Sequence, residues 1–128
     1  MTACVAGNRA PSMPADVEQR AIQYATRADR EFAVGERELA LELATHALVV
    51  RLAACGFECP EVAASFLQLG DLRQANGQPG WAVQLYTRAL EILEPHARTH
   101  GEWIDAVEER LASACSRTAP PPAACARK

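Results

Sequence analysis

The residues best suited to chemistry in this chain come in matched pairs. Cys55 and Cys59 stand four apart, as do His96 and His100. Two thiolates and two imidazoles make the donor set of a tetrahedral zinc site. In stacked helical hairpins both pairs would fall at junctions along one edge, where the four side chains could meet. The spacing is not that of a zinc finger, and a small apolar Cys is common in helical cores. We therefore read these residues as structural and expect neither metal nor cofactor. Carboxylates offer a second chemistry, in Glu36 with Glu38 and Glu108 with Glu109. They lie in helical, solvent-facing patterns with no nucleophile or glycine-rich loop beside them, which suits a solvated face better than acid–base catalysis. Ser65, Ser113 and Ser116 lack the motif context of a nucleophilic serine. The expectation is a protein that is not an enzyme.

Stepping outward, these residues must be positioned within 128 residues, the length of one domain with one core. Hydrophobic residues make up 49% of the chain and charged residues 23%, the balance of a globular protein. The net charge of -3 argues against a nucleic-acid binder, which carries a basic domain or stripe. The five cysteines, Cys4, Cys55, Cys59, Cys115 and Cys125, are odd in number and match no secreted disulfide framework. That implies a reducing, cytoplasmic compartment. Residues 1–13 lack acidic residues and contain Arg9, so the alternative is an organelle matrix after cleavage of a short N-terminal segment. No apolar run approaches the roughly 18 residues that span a membrane, and none is expected as a partner.

Periodicity predicts an all-α chain of five helices. Residues 1–13 hold Gly, Asn, Pro and Ser without apolar rhythm and read as disordered. Ser12 to Asp16 forms a helix start, with Ser12 as cap and Pro14 in the first turn. Val17, Ala21, Tyr24, Ala25, Ala28 and Phe32 recur at helical spacing until Gly35. A second helix ends near Gly56, because Pro60 disfavours helix at the residue before it. The third runs from Pro60 to about Ala75, and Gly77 to Gly80 is a turn. The fourth runs from about Trp81 to about Leu93. Gly101 breaks the chain before a fifth, Glu102 to about Ser116. Pro120 to Pro122 cannot continue it, so residues 117–128 read as a loose tail around a 14–116 helical domain.

A repeat organises these helices. Shifted by 42 residues, Ala21 falls on Ala63, Tyr24 on Phe66, Ala28 on Gly70 and Gly35 on Gly77. Leu43 to Leu48 falls on Leu85 to Leu90, with Leu, Thr, Ala and Leu matching. Small residues let antiparallel helices approach, so Ala28 or Gly70 is expected against Ala40 or Ala82, with Gly35 and Gly77 in the turns.

Phe66, Leu69, Gly70, Ala82, Tyr86, Ala89 and Leu90 stand at the spacing of the tetratricopeptide repeat, and residues 60–93 resemble its 42-residue kinesin-light-chain type. Residues 18–51 resemble it less closely, with Ala28 for the glycine, Ala44 for the aromatic residue and Arg27 for a leucine. Glu102 to Ser116 resembles a capping helix. The resemblance implies a right-handed superhelix of two hairpins plus a cap, serving as an adaptor or scaffold for protein recognition. It implies a partner-binding groove at Ile22, Ala25, Asp29 and Phe32, at Ala64, Leu67, Asp71 and Gln74, and at Glu109, Arg110 and Ser113.

One subfamily clamps terminal carboxylates with Lys, Asn and Arg in this groove. Here Asp29 and Asp71 stand at the Asn positions and only Arg110 matches, so an anionic tail would be repelled. The expected partner is a protein or peptide carrying basic residues, drawn to free carboxylates of Asp29 and Asp71. Two repeats fall short of the usual three, which points to a homodimer or to a subunit of a larger complex. The alternative to groove binding is a structural subunit docking by its convex or end surfaces.

Overall fold

The computed structural model describes residues 12–126. The protein is all-α. Its helices are α1 (Ala15–Ala33), α2 (Arg37–Cys55), α3 (Pro60–Ala75), α4 (Pro79–Leu93) and α5 (Ala97–Ser116). Single 3-10 turns cover Gly56–Glu58, Glu94–His96 and Ala123–Ala126. No strand occurs among the described residues. Most of the segment read as disordered, with Cys4 and Arg9, lies outside them; of its last two residues, Met13 packs on the core.

The turns within the α1/α2 and α3/α4 hairpins close in the same way. Glu36 N–H donates to the Glu31 carbonyl at 2.9 Å, and Gln78 N–H donates to Arg73 at 2.8 Å, which is the same bond 42 residues on. Each needs a residue in the left-handed region between, supplied by Gly35 (φ 92°) and Gly77 (φ 76°). Thr45 and Thr87, also equivalent, each return their hydroxyl to the carbonyl four residues earlier.

Successive helices pack in chain order: α1 on α2, α2 on α3, α3 on α4 and α4 on α5, with α1 also reaching α3. The larger core cluster centres on α4, where Ala82, Val83, Tyr86, Ala89, Leu90, Ile92 and Leu93 are buried. A smaller one joins Ala28, Leu43, Ala44, Leu69 and Leu72. Ala21, Ala28, Ala40, Ala47, Ala63, Ala82 and Ala89 are all buried, as close helix packing requires. Gly70 lies beneath the ring of Tyr86. A Cβ on Gly70 would stand 2.5 Å from Tyr86 Cε1.

Several expectations change. Ser12 does not cap α1; Pro14 occupies that position and no side chain bonds there. α4 starts at Pro79, whose fixed φ and missing N–H suit a first helical turn. α5 starts at Ala97 and breaks at His100 (φ -127°, ψ 32°), just before Gly101. The stretch Arg37–Glu58 is long and apolar enough, by length and composition, to cross a membrane. Counting uninterrupted apolar residues missed it, because Glu38, Glu42 and Arg51 interrupt the run without abolishing its average. Among the described cysteines, Cys55 lies beside Cys59 and Cys115 is bonded to Cys125. In the C-terminal segment, Ala124 and Cys125 pack on the main core cluster.

Candidate functional site

Two polar links join α1, α3 and α5 across one face. Gln68 on α3 donates its amide to the Ala25 carbonyl at 2.7 Å and to Asp29 Oδ1 at 3.0 Å, both on α1. Toward α5, Asp71 pairs with Arg110 Nε at 3.1 Å and accepts the Tyr86 hydroxyl at 2.5 Å. Burial first, and then this bond to a carboxylate, pushes the Tyr86 phenol well above its ordinary range. Tyr86 thus remains a neutral donor beneath the face and helps hold Asp71 in place.

The expected groove residues divide into two groups. Ile22 is 44% exposed on α1. Ala25, Ala64 and Leu67 are half-buried, and Leu67 leans on the larger cluster. Glu109 and Ser113 are exposed on α5. Phe32 is instead packed into the smaller cluster, with the Arg37 guanidinium 5.2 Å above its ring. Gln74 is half-buried, and its Oε1 is enclosed without a bonding partner. Asp29 and Asp71 are not the free carboxylates expected, because Gln68, Tyr86 and Arg110 engage them. Open negative charge lies on α5 instead, where Glu102, Asp105, Glu108 and Glu109 are all exposed while Arg110 bonds to Asp71.

A third link lies deeper and was not anticipated. Arg51 of α2 is 4% exposed. It grips Glu18 of α1 through Nε (2.9 Å) and Nη2 (2.6 Å), and donates Nη1 to Ser65 Oγ of α3 (2.8 Å). One side chain therefore fixes three helices. An arginine inside Val49-Val50-Arg51-Leu52 was a visible signal, but no spacing rule named its partners. Gln68 gave no signal at all.

The two pairs first considered as metal ligands are otherwise engaged. Cys55 and Cys59 lie side by side. His96 Nε2 lies 3.0 Å from the Glu58 carbonyl, and His100 stacks on Trp103. Among the described residues no three His, Cys, Asp or Glu side chains gather to hold a metal ion. Trp81, in the first turn of α4, has the Arg73 guanidinium 4.7 Å from its ring.

No protein-family model matches this chain, and no curated protein matches it. The face combines apolar Ile22 and Leu67, a row of bonded amide and carboxylate groups, and an acidic flank on α5.

Proposed function

We propose that the chain is a non-enzymatic, tetratricopeptide-like interaction module that holds a segment of a partner protein along the α1/α3/α5 face. The observation that carries this reading is the pair of links, Gln68 to α1 and Asp71 to Arg110. They set three helices side by side in advance, which lowers the ordering cost of binding. Ile22 and Leu67 offer apolar contact, and the α5 carboxylates favour a partner with Arg or Lys beside its anchors. The matched turns at Gly35 and Gly77 support the repeat reading.

One observation favours a second reading, a structural subunit docking by another surface. Val49 on α2 is 55% exposed, and Phe57 and Trp81 are also exposed apolar groups away from the face. The experiment is recovery of the tagged full chain from its native cell, as parent, as Ile22→Glu with Glu109→Lys, and as Val49→Asp. Loss of the co-purifying chains in the first variant alone supports the face. Loss in Val49→Asp alone overturns it in favour of the subunit reading.

A further inference from the structure

The C-terminal segment lies over the seam between α4 and α5, at the end of the array. Past Ser116 the chain turns, with Thr118 Oγ1 donating to the Ala114 carbonyl at 2.9 Å. Pro120 and Pro122 then share a shallow cleft with Trp81 and Gln84 of α4. The Ala123–Ala126 turn brings Ala124 and Cys125 onto the core cluster that contains Leu90 and Leu111. Between tail and helices remains a cavity of about 620 Å³, lined by Leu90, Leu111, Ala112, Pro121 and Ala124 among others.

This covering is loosely made except at one point. Beyond Thr118, the backbone bond described for the tail stays within it, from Cys125 N–H to the Pro122 carbonyl at 2.9 Å. A segment rich in Pro and Ala gains little from side-chain burial, and the space beneath it is incompletely filled. The firm attachment is covalent: Cys125 is bonded to Cys115 on α5, ten residues earlier, with Cα atoms 5.6 Å apart. Two helices joined at a seam present the surface on which a further helix of a stacked array would pack, and arrays need such ends covered.

We propose that Cys115–Cys125 is a redox latch that holds the chain's own tail as a removable cap on the α4/α5 seam. A dithiol reductant opens it. One of its thiolates attacks a sulfur of the pair, a transient mixed disulfide forms, and its second thiol displaces the protein sulfur. Two electrons pass to the protein, Cys115 and Cys125 become thiols, and the reductant leaves as its own disulfide. The freed tail uncovers Leu90, Leu111 and the Cys115 thiol. A reducing compartment keeps the seam open and an oxidising one keeps it capped. The latch is independent of partner binding on the α1/α3/α5 face.

The test is heteronuclear NMR on the full chain, oxidised and after treatment with dithiothreitol. Parallel samples carry Cys125→Ser, or Cys55→Ser with Cys59→Ser. In the oxidised parent and the Cys55/Cys59 variant, Ala123–Ala126 should be ordered, with the Leu90 and Leu111 methyls shifted by the tail. Reduction of either should drop the tail's order parameters below about 0.6 and move those methyls, with the helices unchanged. Cys125→Ser should show the released state in both conditions. A tail that stays ordered in Cys125→Ser overturns the latch, since packing alone would then hold it. So does rapid alkylation of Cys125 in the untreated parent.

Discussion

The two hairpins share a skeleton and differ in what fills it. Arg51 in α2 and Leu93 in α4 stand at equivalent places, 42 residues apart, and Leu93 is as buried as Arg51. The α3/α4 hairpin fills that place with hydrocarbon, while the α1/α2 hairpin fills it with a guanidinium bonded to Glu18 and Ser65. Where α3 and α4 set Gly70 beneath the Tyr86 ring, α1 and α2 carry Ala28 and Ala44. Neighbours account for the contrast. The α3/α4 hairpin is covered by α2 on one side and α5 on the other, but α1 is the first helix among the described residues and fully buries only Ala21 and Ala28. Apolar burial has no direction, so a helix with little of it can roll. A bidentate ion pair fixes its rotation.

The largest expected effect comes from breaking that pin at one end. Arg51→Met should lower stability by about 2–4 kcal/mol, because it leaves Glu18 and Ser65 unpaired. Glu18 keeps 24% of its side chain in solvent, which holds the cost below that of a fully buried charge. Urea unfolding followed by circular dichroism reads the difference. Arg51→Leu combined with Glu18→Met imitates the second hairpin and should recover at least half of the loss. A double variant no better than the single one would show that α1 needs direction more than filling. Next in size is Gly70→Ala, whose new Cβ meets Tyr86. Overpacking of this kind costs about 1–3 kcal/mol, and thermal melting should show it. Ala28→Gly at the equivalent place should cost about 1 kcal/mol from helix propensity and about 0.8 kcal/mol more for the buried methyl it removes.

Tyr86→Phe probes the second hairpin with a smaller change. It removes the hydroxyl from Asp71, which keeps Arg110, so the loss at neutral pH should be about 1 kcal/mol. The pH dependence has a definite sign. The folded phenol titrates above its unfolded value of about 10. Its stabilisation is complete below that value. As pH rises further the unfolded chain releases the proton that the folded chain keeps, so stability falls toward the folded pKa. Urea midpoints measured from about pH 8 to about pH 11 should fall less steeply in Tyr86→Phe than in the parent.

Local signals carried most of the architecture. Gly35, Gly77 and Pro60 marked three of the helix boundaries, because backbone conformation is decided within a few residues. The repeat offset foretold which alanines are buried and that the two turns are equivalent. What stayed hidden depends on contacts between distant residues. Nothing in one helix says that Gln68 reaches Asp29, 39 positions earlier, or that Arg51 reaches Glu18. The helix that carries each expected groove residue was readable, but its contacts were not. Asp71 looked free because Arg110 and Tyr86 lie on other helices. The cysteine spacings did not foretell which sulfurs lie side by side, because that depends on where each helix ends.

The smallest effect on stability is expected where the largest effect on binding is proposed. Ile22→Glu with Glu109→Lys alters two exposed side chains on α1 and α5, and neither makes a hydrogen bond or an ion pair among the described residues. Exposed changes of this kind usually stay within about 0.5 kcal/mol each. The melting curve should therefore match the parent, while an acidic, partly apolar face becomes less apolar at one end and less acidic at the other. A basic amphipathic partner loses an anchor and meets a like charge. Asp71→Lys is the contrasting probe. It faces Arg110 with a second cation and strips Tyr86 of its acceptor, so binding and stability should fall together. Read side by side, the two variants separate the face from the frame beneath it. If Ile22→Glu with Glu109→Lys melts like the parent and still recovers the same partner, the binding surface lies elsewhere, and the exposed side of α2 around Val49 is the next place to mutate.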